Sequence, residues 1–413
     1  MKTNTLVGIT AIMLLCCTLP GAASDYTLGI FGNANEDDTV NMQDVTYTEL
    51  IILEYRDKTE LADAKHDGKI NMQDVTQIEL VILGQEKELT LVDSADRIVT
   101  VDKPVESVIV LTDDSAEAIR ALGAKDEVVG VSIDITDEKA FFPDLSEVQC
   151  IGKWNAPDYE MVLSINPDLV ISYKSATVKY LVPQLGDTDI PLVALDFYRE
   201  DIMTEEFEKL GYILGKRDEA ERYSDFFSDT RDIINDRVSE MGDGDRVRVY
   251  LEGYSDYKTY VRGKGADVAC TAAGGINIAA DLEGHYPEVD SEWVIVQNPD
   301  VIVRLTPPSK IACGYDVDDP TEIIAKRDEV MARAGWDHTS AVEDGRVHML
   351  LYEFGCSPRV PITIAYMAKW FYPDIFEDLD PQALHQEYID DFCGIDYDVA
   401  EHGVFVYPPL EES

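Results

Sequence analysis

Two fifteen-residue stretches of this chain carry one pattern: residues 157–171 read PDYEMVLSINPDLVI, and residues 289–303 read VDSEWVIVQNPDVIV. In each, a glutamate (Glu160, Glu292) stands six residues before Asn-Pro-Asp, which opens onto a β-branched run. Proline cannot continue a helix, Asn and Asp favour a tight turn, and the apolar run that follows suits a strand buried on both faces. A helix, a turn and a parallel strand recurring in one register predict two lobes of similar topology. A chain of 413 residues is too long for one ordinary core, so two or three domains are expected in any case.

Short apolar strands alternating with helical stretches surround both copies: Ser107–Leu111, Val128–Val131, Leu169–Ser172 and Leu192–Leu195 before the midpoint, then Val247–Leu251, Val301–Arg304 and Val347–Leu351. That alternation reads as α/β with mostly parallel sheets. Between the lobes, residues 201–242 are polar, with apolar side chains at helical spacing (Phe207, Leu210, Ile213, Leu214, then Tyr223, Phe226, Phe227, Ile233, Ile234), which fits one or two long helices. The boundaries are a binding lobe over 96–200, an interlobe helix over 201–242 and a second lobe over 243–400.

A shorter repeat organises the front of the chain. NMQDVT occurs at Asn41–Thr46 and again at Asn71–Thr76, each copy running into an apolar-periodic helix. Upstream, Asn33, Asn35, Asp37, Asn41 and Asp44 occupy positions one, three, five, nine and twelve of a twelve-residue loop, and Thr39 offers its carbonyl at seven. Asp63, Asp67, Asn71 and Asp74 repeat the arrangement, with Gly68 for the sharp turn. Alternating oxygen ligands of this kind suit Ca²⁺, which takes six or more. Lys65 places a cation where a ligand belongs in the second loop, and Asp38 stands where the first would have glycine. With Asp at position twelve and a helix after each loop, residues 27–86 resemble a dockerin, a small all-α, EF-hand-like module. The resemblance implies bound calcium and a cohesin-like partner domain at the cell surface.

Lys2, the apolar run Leu6 to Leu19 and the small residues Gly21-Ala22-Ala23-Ser24 read as an export signal over 1–24. The protein is thus expected outside the cytoplasm, either free or anchored at its front end. Beyond Cys16 and Cys17, five cysteines remain (Cys150, Cys270, Cys313, Cys356, Cys393). They show no CxxC spacing, so neither a zinc site nor a complete disulfide set is indicated. The formal charge of −47 repels phosphate backbones and excludes nucleic acid as a natural partner.

From Asp96 onward the stretches ESVIVLTDDSAEAIRALGAKDEVVGVS, IGKWNAPDYEMVLSINPDLVIS, AAGGINIAADL, VDSEWVIVQNPDVIV and GWDHTSAVEDGRVHMLL resemble periplasmic binding proteins of ABC importers, the helical-backbone class serving iron-siderophore, haem and vitamin B12 uptake. The resemblance implies two Rossmann-like lobes, a rigid interlobe helix, a ligand in the cleft, and a permease with its ATPase as partner. Ligands of open α/β sheets sit beyond the carboxyl ends of the strands. Those ends carry Thr112, Asp113, Tyr173, Lys174, Asp196, Phe197 and Tyr198 in the first lobe, and Glu252, Tyr254, Arg304, Tyr352, Glu353 and Arg359 in the second. Trp154 lies in a loop that lines the cleft in the resembled family. Trp154, Tyr173, Tyr198, Tyr254, Arg304, Tyr352 and Arg359 are the candidate ligand contacts, since aromatics with a few arginines suit a planar or chelate ligand bearing anionic groups.

The six histidines (His66, His285, His338, His348, His385, His402) form no close pair, which favours a metal chelate over a bare ion such as zinc. An iron chelate is the leading expectation, with corrinoid or haem as the alternative and a surface-assembly role through the front module as the third. In the resembled family one exposed glutamate on each lobe pairs with permease arginines. Glu117 and Glu292 are the candidates by motif position. Ala272–Asn277 (AAGGIN) holds paired glycines but no GxGxxG, no GxxxxGK[ST] and no GxSxG occurs, so no enzymatic activity is expected.

Overall fold

The structure is a computed structural model that describes residues 26–410. The export-signal reading over 1–24 lies outside the described residues. Among the described residues no helix is long and apolar enough to cross a membrane.

Each lobe is built on a parallel sheet. In the first, β3 (Val108–Val110) pairs with β4 (Val128–Val131) on one side and β5 (Leu169–Ser172) on the other, and β5 pairs with β6 (Leu192–Ala194). In the second, the order is β8 (Ile276–Asn277), β7 (Arg248–Glu252), β9 (Val301–Thr306), β10 (Val347–Leu351), then an antiparallel edge strand β11 (Val406–Tyr407). The segments read as strands from their β-branched runs all form strands.

The long repeat has a local physical cause. Asp158 and Asp290 cap helices α4 (Tyr159–Ile165) and α7 (Ser291–Gln297), accepting from the amides of Met161 and Trp293. The Asn of each Asn-Pro-Asp takes a left-handed conformation, φ 50° at Asn166 and 46° at Asn298, which ends the helix where proline would break it. The Asp then reaches the neighbouring strand: Asp168 Oδ2 accepts from Ser107 N at 2.9 Å, and Asp300 Oδ2 accepts from Arg248 N at 2.8 Å. Each motif therefore stops a helix and pins the start of the adjacent parallel strand.

The interlobe segment is two helices rather than one. Helix α5 (Met203–Leu214) ends at Gly215, whose φ of 69° admits the left-handed turn, and α6 (Arg217–Ser239) follows antiparallel. Gly211 lets the two helices touch, since a Cβ there would lie 2.7 Å from Ala220 Cβ. Phe207 stacks on Tyr223 across this hairpin, and Tyr223 donates to Pro358 O at 2.8 Å, tying α6 to the second lobe.

The front module is not a separate bead. Its helices α1 (Met42–Ile52) and α2 (Met72–Leu83) each begin with a capping box, Asn41 with Asp44 and Asn71 with Asp74. Ile30 bridges antiparallel to Leu91 on β1 (Glu88–Val92), which pairs with β2 (Ile98–Asp102). Arg217 donates to Ile82 O at 2.7 Å, and the Val40 amide donates to Tyr212 Oη at 3.2 Å. Leu28, Ile30, Val45, Ile78 and Val81 share one apolar cluster with Leu89, Val101, Phe207 and Leu210, and that cluster continues through Val249 and Val301 of the second lobe.

Gly211→Val should overpack the α5–α6 contact and destabilise the protein by about 1–3 kcal/mol, read as a lower denaturant midpoint at unchanged slope.

Candidate ligand cleft

The carboxyl ends of both sheets face a gap between the lobes, and the chain fills its walls mainly with aromatic and carboxylate side chains. One chamber of about 450 Å³ lies among Lys174 and Tyr198 of the first lobe and Tyr260, Tyr286, Tyr352 and Cys356 of the second. A second chamber of about 540 Å³ lies among Glu138 and Phe141 of the first lobe and Cys313, Tyr315, Glu353 and Arg359 of the second. The turn Tyr352–Cys356 contributes to both chambers. Volumes of this size suit small-molecule ligands.

Of the expected contacts, Tyr198 and Tyr352 line the first chamber and Arg359 lines the second. Tyr173 stands behind Tyr198, ring centroids 5.2 Å apart and nearly perpendicular, and donates to Asp113 Oδ1 at 3.3 Å. Trp154 meets the edge of Tyr173 at 6.1 Å, and Tyr254 meets Tyr352 at 6.3 Å. These three support the wall rather than line either chamber. Tyr260, Tyr286 and Cys356 were not among the expected contacts. The two tyrosines lie in the long segment after β7, where no periodic pattern distinguishes a cleft residue from a surface one.

The arginines differ most from expectation. Arg304 is buried inside the second lobe, with Nη1 2.8 Å from Glu252 Oε2 and Nη2 2.8 Å from Asp256 Oδ1. Arg333 joins the same pair of acids, so the charge of Arg304 is spent within the lobe and is not offered to a ligand. Arg359, 3% exposed, places Nε 3.0 Å from Glu117 Oε1 and 3.1 Å from Ser357 Oγ, with its guanidinium over the Phe141 ring. Glu117 also accepts from Tyr388 at 2.6 Å and is 1% exposed. The expectation of an exposed docking acid at Glu117 is therefore corrected: burial and two partners make it an interlobe tie. Glu292 is exposed at the start of α7, and the residue matching it in the long repeat is Glu160, exposed at the start of α4.

Several cleft acids keep their protons more readily than usual. Burial, helped by the neighbouring Asp113, raises Asp114 and Glu138, and burial pushes Glu353 up to about 7. Of the histidines, His285 alone lines a chamber. His348 stacks on Trp370 in the core, held neutral by burial at a value of about 3, and His385 is buried against Tyr315. The five described cysteines are unpaired.

In the front module, Asp44 accepts from the amides of Asn35 and Asn41, and Asp37 Oδ1 accepts from Thr39 N at 3.0 Å. Asn33 is fully buried. Its amide nitrogen is committed to the carbonyls of Leu28 and Asp37, and its Oδ1 has no hydrogen-bond partner. An orphaned buried oxygen at position one fits a cation. In the second loop Asp63 is already engaged by the amides of Asp67 and Gly68, and Lys65 is exposed. Among the described residues no three His, Cys, Asp or Glu side chains converge as a metal cluster.

The periplasmic binding protein family matches over residues 108–350, from the first strand of the first lobe to β10 of the second. The chain belongs to that family. It is 23% identical over 338 residues to the molybdate-binding protein MolA of Haemophilus influenzae, covering 74% of this chain and 91% of that one. It is 30% identical over 225 residues to a cobalamin-binding protein of Halobacterium salinarum, covering 52% of this chain and 58% of that one. Among solved structures, the TroA-like periplasmic binding protein FepB of Veillonella parvula superposes with a TM-score of 0.66 at 22% identity, covering 77% of this chain and 98% of that one. MolA bound to molybdate superposes with a TM-score of 0.62 at 21% identity, over 75% of this chain and 98% of that one. This binding protein thus has the TroA-like two-lobe fold and is a substrate-binding component of an ABC transporter, a class that implies a permease and ATPase partner.

Removing one member of the interlobe ion pair, as in Glu117→Leu, should cost about 3–5 kcal/mol by leaving Arg359 buried and uncompensated. Glu117→Leu combined with Arg359→Met should recover most of that loss in equilibrium unfolding.

Proposed function

We propose that this binding protein captures a metal chelate of the iron-siderophore class between its lobes and hands it to the permease. The observation that carries this reading is the first chamber at the carboxyl ends of both parallel sheets, walled by Tyr198, Tyr260, Tyr286 and Tyr352. Tyrosine rings give a bulky chelate broad apolar contact and hydroxyls for its oxygen atoms. A corrinoid is the second reading, favoured by the Halobacterium salinarum relative. Thermal-shift measurement with ferric siderophores, cobalamin, haem, molybdate and free Fe³⁺ separates them. A ligand at a hundred times its dissociation constant adds about 2.7 kcal/mol of stability. No shift with any iron chelate, beside a shift with cobalamin, would replace the first reading by the second.

Glu160 and Glu292 are the docking acids in this reading. They occupy one repeat position, head equivalent helices of the two lobes and are both exposed. Charge reversal, Glu160→Arg with Glu292→Arg, should abolish ligand-stimulated ATP hydrolysis in membranes carrying the permease. Ligand affinity in solution should stay within about twofold, because neither residue lines a chamber.

The front module is proposed to hold Ca²⁺ in its first loop, through Asn33, Asn35, Asp37, Asn41 and Asp44. The second loop, with Asp63, Asp67, Asn71 and Asp74, is the weaker site because Lys65 replaces a ligand. A cohesin-like domain would be the module's partner. The exposed apolar residues Met42 and Leu53 recur thirty residues on as Met72 and Leu83, which gives both helices a similar outward face. Calcium should raise the melting temperature over that in EGTA, and Asn33→Ala should remove most of the increase.

A further inference from the structure

Apolar side chains scattered singly over a surface are ordinary, whereas apolar side chains gathered beside a functional site mark an interface. On the first lobe they gather along two neighbouring helical segments. In α4, Tyr159 and Leu163 lie one turn apart on one stripe, with Glu160 next to them, and Leu163 is 46% exposed. Tyr159 donates to Tyr180 O at 3.1 Å, which sets α4 against residues 174–185, the helical segment that follows β5. In that segment Leu181 and Leu185 are buried in one cluster with Val162 of α4, while Val178 and Val182 are left 50% and 37% exposed.

Local structure does not call for these side chains. Valine loses rotamer freedom in a helical turn, and an exposed position in a chain of formal charge −47 ordinarily carries a polar or charged residue. Lys179, between the two valines, lies over the Tyr180 ring with its Nζ 4.9 Å from the centroid. On the second lobe the pairing of an acid with a bare apolar side chain recurs: Val296 stands one turn after Glu292 on α7 and is 79% exposed.

The place of the first-lobe patch points to what covers it. Trp154 meets Tyr180 at 6.2 Å and Tyr173 at 6.1 Å, and Tyr173 backs Tyr198 on the wall of the first chamber. The patch therefore adjoins the cleft wall, and a partner that receives what the cleft holds has to sit over this border. The exposed Asp158 and Glu160 suit a partner that brings positive charge to the same spot. An anionic lipid surface would be repelled by the net charge, and a second copy in twofold contact would set these acids against their own kind.

We propose that Leu163, Val178 and Val182 on the first lobe and Val296 on the second are apolar anchors of the permease interface. Docking is then held by buried apolar surface, while Glu160 and Glu292 steer it. The inference rests on the docking role given to the two glutamates and deepens it: the permease must offer an apolar surface at each lobe, bordered by arginine or lysine. Apolar burial is insensitive to screening, whereas exposed charge pairs weaken with salt, and that difference separates the two contributions.

The test is surface plasmon resonance of the full chain, without added ligand, on its permease–ATPase complex in lipid nanodiscs, at about 0.05 M and about 0.5 M salt. Leu163→Gln with Val178→Gln and Val182→Gln should weaken binding at least about tenfold at both salt concentrations, and Val296→Gln about threefold. Ile233→Gln, at a comparably exposed residue of α6, should change nothing. Glu160→Arg with Glu292→Arg should weaken binding strongly at low salt and much less at high salt. Should the triple variant melt early, Leu163→Gln and Val178→Gln singly should each weaken binding severalfold. Unchanged binding by the triple variant and by Val296→Gln overturns the anchors. If the glutamate reversal still weakens binding, docking through the acids stands; if it does not, that reading falls as well. An equal loss in Ile233→Gln, or a loss confined to low salt, also overturns the anchors. So does an unaltered chain that dimerises through the patch or binds protein-free nanodiscs equally well, which would assign the patch to a second copy or to lipid. No binding by the unaltered chain removes the docking reading and the anchors with it.

Discussion

The ion pair between Arg359 and Glu117 crosses from one lobe to the other with both members almost wholly buried. Its surroundings show how two charges are kept out of water. Tyr388 and Ser357 complete the hydrogen bonds, and Phe141 lies flat against the guanidinium. A pair of this kind adds little net stability compared with an apolar substitute, but it tolerates few alternative arrangements. The pair sits where the Tyr352–Cys356 turn, which borders both chambers, leads into Arg359 on the wall of the second.

Much of the architecture was legible because its causes are local. Asn-Pro-Asp stops a helix and pins a strand by the same hydrogen bonds in both lobes, so the repeat could be read without knowing what lay between its copies. The strands announced themselves as β-branched runs. The interlobe segment was half legible: its apolar spacing gave one or two helices, while the break rests on the left-handed turn at Gly215, which spacing does not encode.

The site was legible as a region and less so residue by residue. Strand ends mark the cleft, which brought Tyr198 and Tyr352 to a chamber wall. They do not tell whether a charged side chain at such an end faces a ligand or a neighbour. Arg304 turns inward to Glu252 of its own lobe, and Arg359 turns to an acid far away in sequence. The acids proposed for docking show the opposite case. The repeat that revealed the two lobes already set Glu160 in register with Glu292, whereas the motif position of Glu117 led into the interior.

The single apolar cluster that runs from Leu28 through Leu89 and Phe207 to Val301 has a consequence for how the molecule is put together. A domain cut near residue 90 would bare Leu89, Leu91 and Val101 on one fragment and Ile30 and Val81 on the other. The front module is therefore not an exchangeable cassette. Heat should melt the whole molecule in one cooperative transition, with the front module and both lobes unfolding together.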